Sequence, residues 1–161
     1  MAIIKPNNNT ISAITALPAA ISTGKVLQIV NAVQGTEATS SSSTYSDTGL
    51  SATITPSSSS NKVLVLVSQN STRKGTNNTW CQYKLLRGST DIVADFETRG
   101  AMNDTTSNNW DGGNSVSYLD SPATTAATTY KTQFKSGNNN AYVNAQESGS
   151  KSTITLLEIE A

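Results

Sequence analysis

The stretch Lys62-Val63-Leu64-Val65-Leu66-Val67-Ser68 decides how the rest of the chain is read. Five consecutive apolar residues, three of them β-branched, are too short for a buried helix and too uniform for a half-exposed strand. They predict a strand that is apolar on both faces, placed centrally between two layers. Upstream, Tyr45 to Thr55 alternates cleanly: Leu50, Ala52 and Ile54 point one way, Ser51, Thr53 and Thr55 the other. That period of two marks a half-buried strand. Pro56 and Ser57 to Ser60 form the loop between them. Further strand signals follow at Lys25 to Val33, Thr79 to Arg87, Asp91 to Phe96, Ser115 to Leu119, Thr128 to Lys135, Ala141 to Ala145 and Ser152 to Ile159. Clusters of Gly, Asn, Ser and Pro separate them, among them a Gly88-Ser89 turn and a long polar loop from Thr98 to Asn114. With no helical pattern between them, these strands predict an all-β fold, an antiparallel β-sandwich with a jelly roll as the leading topology.

Composition agrees with a folded β domain. The 161 residues carry 11 basic and 11 acidic side chains, and only 14% of positions are charged, against about 25% in ordinary soluble domains. Neutral groups supply the polarity instead: 23 Ser, 23 Thr and 16 Asn. Disordered chains combine low hydrophobicity with high net charge; here net charge is zero and β-branched residues recur in blocks. A surface without a strong field offers little grip to nucleic acid or to an anionic membrane, so neither is expected as a partner. Cys81 is the sole cysteine, which excludes an internal disulfide and reads as a small buried hydrophobe beside Trp80. No apolar run reaches the length of a membrane span.

The chain divides into an N-terminal arm, residues 1–24, and a β domain, residues 25–161. In the arm Ile11, Ile14, Leu17 and Ile21 fall near helical spacing, but Pro18 interrupts it. A short helix and an extended segment docking on a neighbour are equally compatible. Together with Ile3 and Ile4, these residues are the candidate anchoring set. The polar Asn7-Asn8-Asn9 and the interruptions at Ser12, Thr15 and Pro18 argue against a secretory signal.

The chain contains no histidine, so triads built on that base, and ordinary zinc sites, are not expected. Paired carboxylates would suffice for glycoside hydrolysis, and Asp91, Asp95, Glu97, Asp104, Asp111, Asp120 and Glu147 are available, but no spacing motif joins them. Residues 108–114 lack the regular oxygen ligands and closing Glu of a calcium loop. No metal or cofactor is expected. Trp110, with Asn108 and Asp111, lies in the polar loop, where an indole could stack on a sugar or fold back as a lid; these three are candidate surface contacts.

Several blocks together resemble a recurrent module of phages that infect aquatic bacteria. They are Gly24-Lys25-Val26-Leu27-Gln28, Ile54-Thr55-Pro56 leading into Lys62 to Val67, Leu86-Arg87-Gly88-Ser89-Thr90, Ser117-Tyr118-Leu119-Asp120-Ser121-Pro122, Thr128-Thr129-Tyr130-Lys131-Thr132, and Ser152 to Ile159. The resemblance covers nearly all of residues 24–161 and is to short jelly-roll virion structural proteins, of the capsid decoration or tail-fibre type. It implies a non-enzymatic protein on the particle surface, assembled in the host cytoplasm, with itself and a major capsid or tail protein as partners. The resemblance also implies a homotrimer, since jelly-roll virion proteins typically pack three around an axis, and closed symmetry satisfies every interface. The first and last strands are apolar on both faces, and Val26, Val30, Leu157 and Ile159 are the candidate subunit contacts. Two virion roles follow: capsid decoration or cement, favoured by the short chain without a shaft, and a fibre or tailspike tip binding host-surface glycan. A free carbohydrate-binding module is the reading outside any virus.

Overall fold

The computed structural model describes residues 24–75, 78–97, 99, 111–138 and 140–161. These form ten strands: β1 (Val26–Gln34), β2 (Ala38–Ser40), β3 (Ser46–Ile54), β4 (Lys62–Lys74), β5 (Cys81–Arg87), β6 (Thr90–Glu97), β7 (Asp111–Asp120), β8 (Thr128–Ser136), β9 (Val143–Gln146) and β10 (Ser152–Ile159). Every pairing is antiparallel, in two sheets. One sheet runs β3-β8-β5-β6. In the other, β7 lines one edge of β4, while β10 and then β9 share its opposite edge. β1 pairs β10 and β2 pairs β9, so β1/β2 and β10/β9 are each one interrupted strand. The sheet is therefore four strands wide, and the molecule is a β-sandwich. Contacts between β1 and β3 and between β6 and β7 close its two sides.

The alternation read in the sequence is what fills the space between the sheets. Leu50, Ala52 and Ile54 from β3 meet Val63, Val65 and Val67 from β4, Ile154 and Leu156 from β10, Leu85 and Tyr130. A second apolar cluster joins Cys81, Tyr83, Phe134, Val143 and Ala145, with the Tyr83 ring stacked on Phe96 at 5.3 Å. Buried polar groups line the region between and beyond them. Gln69 donates to the Ala145 carbonyl (3.0 Å) and to Ser152 Oγ (3.1 Å), and it accepts from Thr132, which in turn meets Thr48 at 2.6 Å. Ser152 donates to Gln146. Gln69, Thr132, Thr48, Ser152 and Gln146 thus satisfy one another inside the sandwich, which is the condition for burying them without a large penalty.

This polar interior explains two corrections to the sequence reading. β4 does not stop at Ser68 but continues to Lys74, and β7 begins at Asp111 rather than Ser115. Stretches rich in Asn, Ser, Thr and Gly read as loop, yet here they pair with each other, Asn70 with Gly113 and Thr72 with Gly112. The register shifts between Asn70 and Thr72, where Ser71 adopts a left-handed φ of 53°. The inward parity therefore passes from Val67 and Gln69 to Thr72 and Lys74, all buried. β2 had no sequence signal of its own. The predicted Gly88 turn is present, with φ of 58° at the glycine.

The expectation that β4 is buried on both faces is also corrected. Val63, Val65 and Val67 are buried, whereas Leu66 is 40% exposed, because no second layer among the described residues covers that side. Neighbouring substitutions should therefore diverge. Val65→Asp places an unpaired carboxylate between the sheets and is expected to abolish the folded state, measured by circular dichroism and soluble yield. A soluble, native-like Val65→Asp protein would show that this strand is misplaced.

Candidate assembly interface

The uncovered side of the β1-β10-β4-β7 sheet is the most distinctive surface of the molecule. In register across it, Ile29 stands beside Leu157, Leu157 beside Leu64, and Leu64 beside Leu119. One apolar row thus crosses all four strands. The next row is Asn31, Thr155, Leu66 and Ser117, and beyond it Val33, Thr153, Ser68 and Ser115. Ile29 is 63% exposed, Val33 58% and Leu119 52%. Single exposed hydrophobes are ordinary, whereas these form a contiguous row across one sheet face. The three rows carry no charged residue; Lys62 stands beside the apolar row, paired with Ile159 and donating to Ser121 Oγ at 2.9 Å, and the exposed Lys151 lies beyond Thr153 at the other end.

A bulge sets which residues of β1 reach this face. Val26 pairs with Ile159 and Gln28 with Glu158, leaving Leu27 as the extra residue. Val26 and Leu27 are both exposed. Beyond the bulge Ile29 and Val33 point outward, while Val30 packs against the core. Of the four predicted contact residues, Val26, Leu157 and Ile159 therefore share the outer face. Val30 does not, because the inserted residue separates its parity from that of Val26. Leu27, Ile29, Val33, Leu64, Leu66 and Leu119 complete the surface. Their signal was available in the same double-sided apolar pattern.

The outer face of the other sheet has opposite character. Asp47 accepts from Lys131 (2.9 Å) and Gln133 (2.7 Å), and Lys84 pairs with Asp91 at 3.0 Å. Asp95 accepts from Tyr45 (2.7 Å) and Gln82 (2.6 Å). The Lys84 and Lys135 ammonium groups each lie 4.6 Å from the Tyr45 ring centre. Burial, the hydrogen bond to Asp95 and the nearby carboxylates push the Tyr45 hydroxyl well above its ordinary range. This face is a mesh of matched charges that is well solvated as it stands.

The remaining candidate carboxylates are bound into structural contacts. Glu97 accepts from Trp80 Nε1 (2.8 Å), Asp120 from Arg87 Nη1 (2.9 Å to each oxygen) and Tyr130 (2.7 Å), and Glu147 meets Arg73 at 3.0 Å. No group of three or more metal-ligating side chains occurs among the described residues. Burial pushes the Cys81 thiol up to about 12, with a hydrogen bond to Tyr83 opposing it, so the thiolate is scarce at neutral pH. The candidate anchoring residues Ile3, Ile4, Ile11, Ile14, Leu17 and Ile21 lie outside the described residues, as do Asn108 and Trp110. Asp111 opens β7, paired with Arg73.

One carboxylate escaped the sequence reading. Glu158 shares its parity with Ile154 and Leu156 and is fully buried, which its place in Leu156-Leu157-Glu158-Ile159 could have signalled. It accepts from Asn61 Nδ2 (2.6 Å), Gln28 Nε2 (2.5 Å) and both the backbone nitrogen and hydroxyl of Ser57 (2.7 Å each). Burial alone would raise its pKa, but these donors outweigh it and hold the carboxyl at about 2. Glu158 thus ties the loop after β3 and the edge strand β1 to β10, fixing the margin of the apolar face.

No protein-family model matches the chain, and a search of curated proteins finds no match.

The sign of the Glu158 contribution follows from its lowered pKa. Above its ordinary value of 4.5 the carboxyl is ionised folded or unfolded, and its stabilisation is present in full. As pH falls towards about 2 the unfolded chain takes up the proton first, and that stabilisation drains away. Thermal unfolding followed from pH 7 to pH 2 should show this loss. Glu158→Gln should be less stable at pH 7 by on the order of 2 kcal/mol and should lack this component of the acid dependence. An unchanged acid limb in the variant would refute the assignment.

Proposed function

We propose that this protein is a non-enzymatic structural component of a phage virion, exposed on the particle as a homotrimer and serving as a capsid decoration or cement protein. The observation that carries the reading is the asymmetry of the sandwich. One sheet face bears a charge-free apolar row that water does not favour, and the other bears a mesh of paired charges suited to solvent. A rigid body with one side suited to cover by other protein and one side suited to water is what an assembled particle coat requires of its subunits. The five carboxylates whose side chains are described among the catalytic candidates, each bound to structural partners, support a scaffold rather than a reaction centre.

The strand order supports a jelly-roll assignment. Counting β1/β2 and β10/β9 as one strand each, eight strands form the sheets β1-β10-β4-β7 and β3-β8-β5-β6. This is the arrangement that two interlocked Greek keys produce, a frequent architecture of viral capsid domains. The sequence resemblance to short phage virion proteins points the same way. Fold alone does not give function, so the test must be made on particles.

Quantitative mass spectrometry of purified virions is expected to find the chain in numbers comparable to the major capsid subunit. A copy number matching the few fibres of a tail would favour the receptor-binding role instead, and absence from particles would overturn both. Deleting residues 1–22 should leave a folded domain that no longer incorporates. Normal incorporation of the truncated chain would remove the anchoring role of the arm.

A further inference from the structure

We infer that the apolar face of the β1-β10-β4-β7 sheet is covered by a second copy of this chain, the β1 side of one copy meeting the β4/β7 side of the next around a threefold axis. The inference rests on the trimeric reading above and names the surface and register that make it.

Area is the first argument. Four strands about 4.8 Å apart and about eight residues long, at about 3.3 Å per residue, give a footprint of roughly 500 Å² in projection. Relief from the side chains increases the accessible area, against about 800 Å² per partner in a standard interface. In a ring this face is divided between two neighbours, so it forms the apolar centre of each contact and not the whole of one. The second argument is charge. A partner selected by electrostatics needs a field to meet, and the rows from Ile29 to Ser115 carry no ionised group. The face complements apolar side chains, Thr and Ser, which are what it is itself made of.

The third argument concerns symmetry. The exposed hydrophobes of this face fall into two groups on either side of β10. Val26, Leu27, Ile29 and Val33 lie on β1, and Leu66 and Leu119 lie on β4 and β7. Between them β10 shows Thr153 and Thr155, with Leu157 and Ile159 only partly exposed. Two unlike patches on one copy suit a heterologous contact, which closes into a ring when the rotation allows. In such a ring each copy covers both of its patches, and the paired charges of the β3-β8-β5-β6 sheet stay in water.

The experiment uses the full chain. Light scattering coupled to size exclusion should give three times 16.9 kDa at micromolar concentration. Ile29→Asp and Leu66→Asp should each shift the mass towards the monomer with circular dichroism unchanged, while Gln133→Glu on the opposite sheet should remain trimeric. A photo-reactive phenylalanine at position 66 or 119, in a mixture of isotopically light and heavy chains, provides a readout that does not depend on those variants folding. Light-to-heavy cross-links reaching residues 26–33 of another copy are expected. A monomeric or dimeric wild type overturns the inference, as does a trimer whose cross-links from position 66 stay within one chain, for example to residues 1–23. Absence from virions with the trimer intact would strike only the functional reading, whereas virion association without this trimer would strike only the interface.

Discussion

A strand has two faces, and β4 carries apolar side chains on both while the described residues supply one opposing sheet. Val63, Val65 and Val67 are buried because the β3-β8-β5-β6 sheet lies against them. Leu64 and Leu66, one residue out of phase, have neighbours in their own sheet alone among the described residues. A period of two makes this unavoidable: no shift of register can bring both sets inside. Every other feature of the surface follows from it. The row through Ile29, Leu157 and Leu119 extends the uncovered side of β4 across the sheet, and the charges collect on the other sheet.

The interior shows how such a strand is held in place. Apolar packing is tolerant of sliding, but hydrogen bonds between buried groups are not, since a slip by one residue leaves donors and acceptors unpaired in a dry environment. Gln69 reaches both Ala145 and Ser152, so it fixes β4 against β9 and β10 together. Glu158 does the same at the far end, drawing in Asn61, Ser57 and Gln28. Tyr130 and Arg87 converge on Asp120 and tie the two sheets through β7. These polar contacts specify the register, and the register places the apolar row.

Much of this was legible in the residues, for reasons that differ element by element. β3 and β8 could be read outright because each has one wet and one dry face, and alternation is the direct trace of that condition. The double-sided pattern of β4 was also visible, but its meaning was ambiguous: a second layer and a second subunit both hide a leucine. The ends of β4 and β7 were not legible, because Asn70, Ser71, Gly112 and Gly113 are strand residues only by virtue of facing one another. The position of Val30 turned on a bulge at Leu27 that no local signal announces. Glu158 was overlooked although its parity with Ile154 and Leu156 pointed inward, because a lone carboxylate near the end of a chain reads as solvent-facing unless its donors, which lie far away in sequence, are known.

The composition of the apolar face bears on how a sheet side of this kind avoids indiscriminate association. A sheet side made of leucine throughout would associate in any register and would invite aggregation. Here the Ile29-Leu157-Leu64-Leu119 row is followed by rows in which Thr, Ser and Asn predominate, and Asn31 donates to Thr155 Oγ1 at 2.8 Å within the face itself. The polar rows lower the reward for misaligned contact, since sliding the leucine row onto them would bury hydroxyl and amide groups without partners. The apolar row therefore supplies the attraction, and the rows beside it limit the orientations in which that attraction can be realised. Attraction and alignment are encoded on one sheet, in which the buried contacts of Gln69 and Glu158 hold β1, β10 and β4 in register.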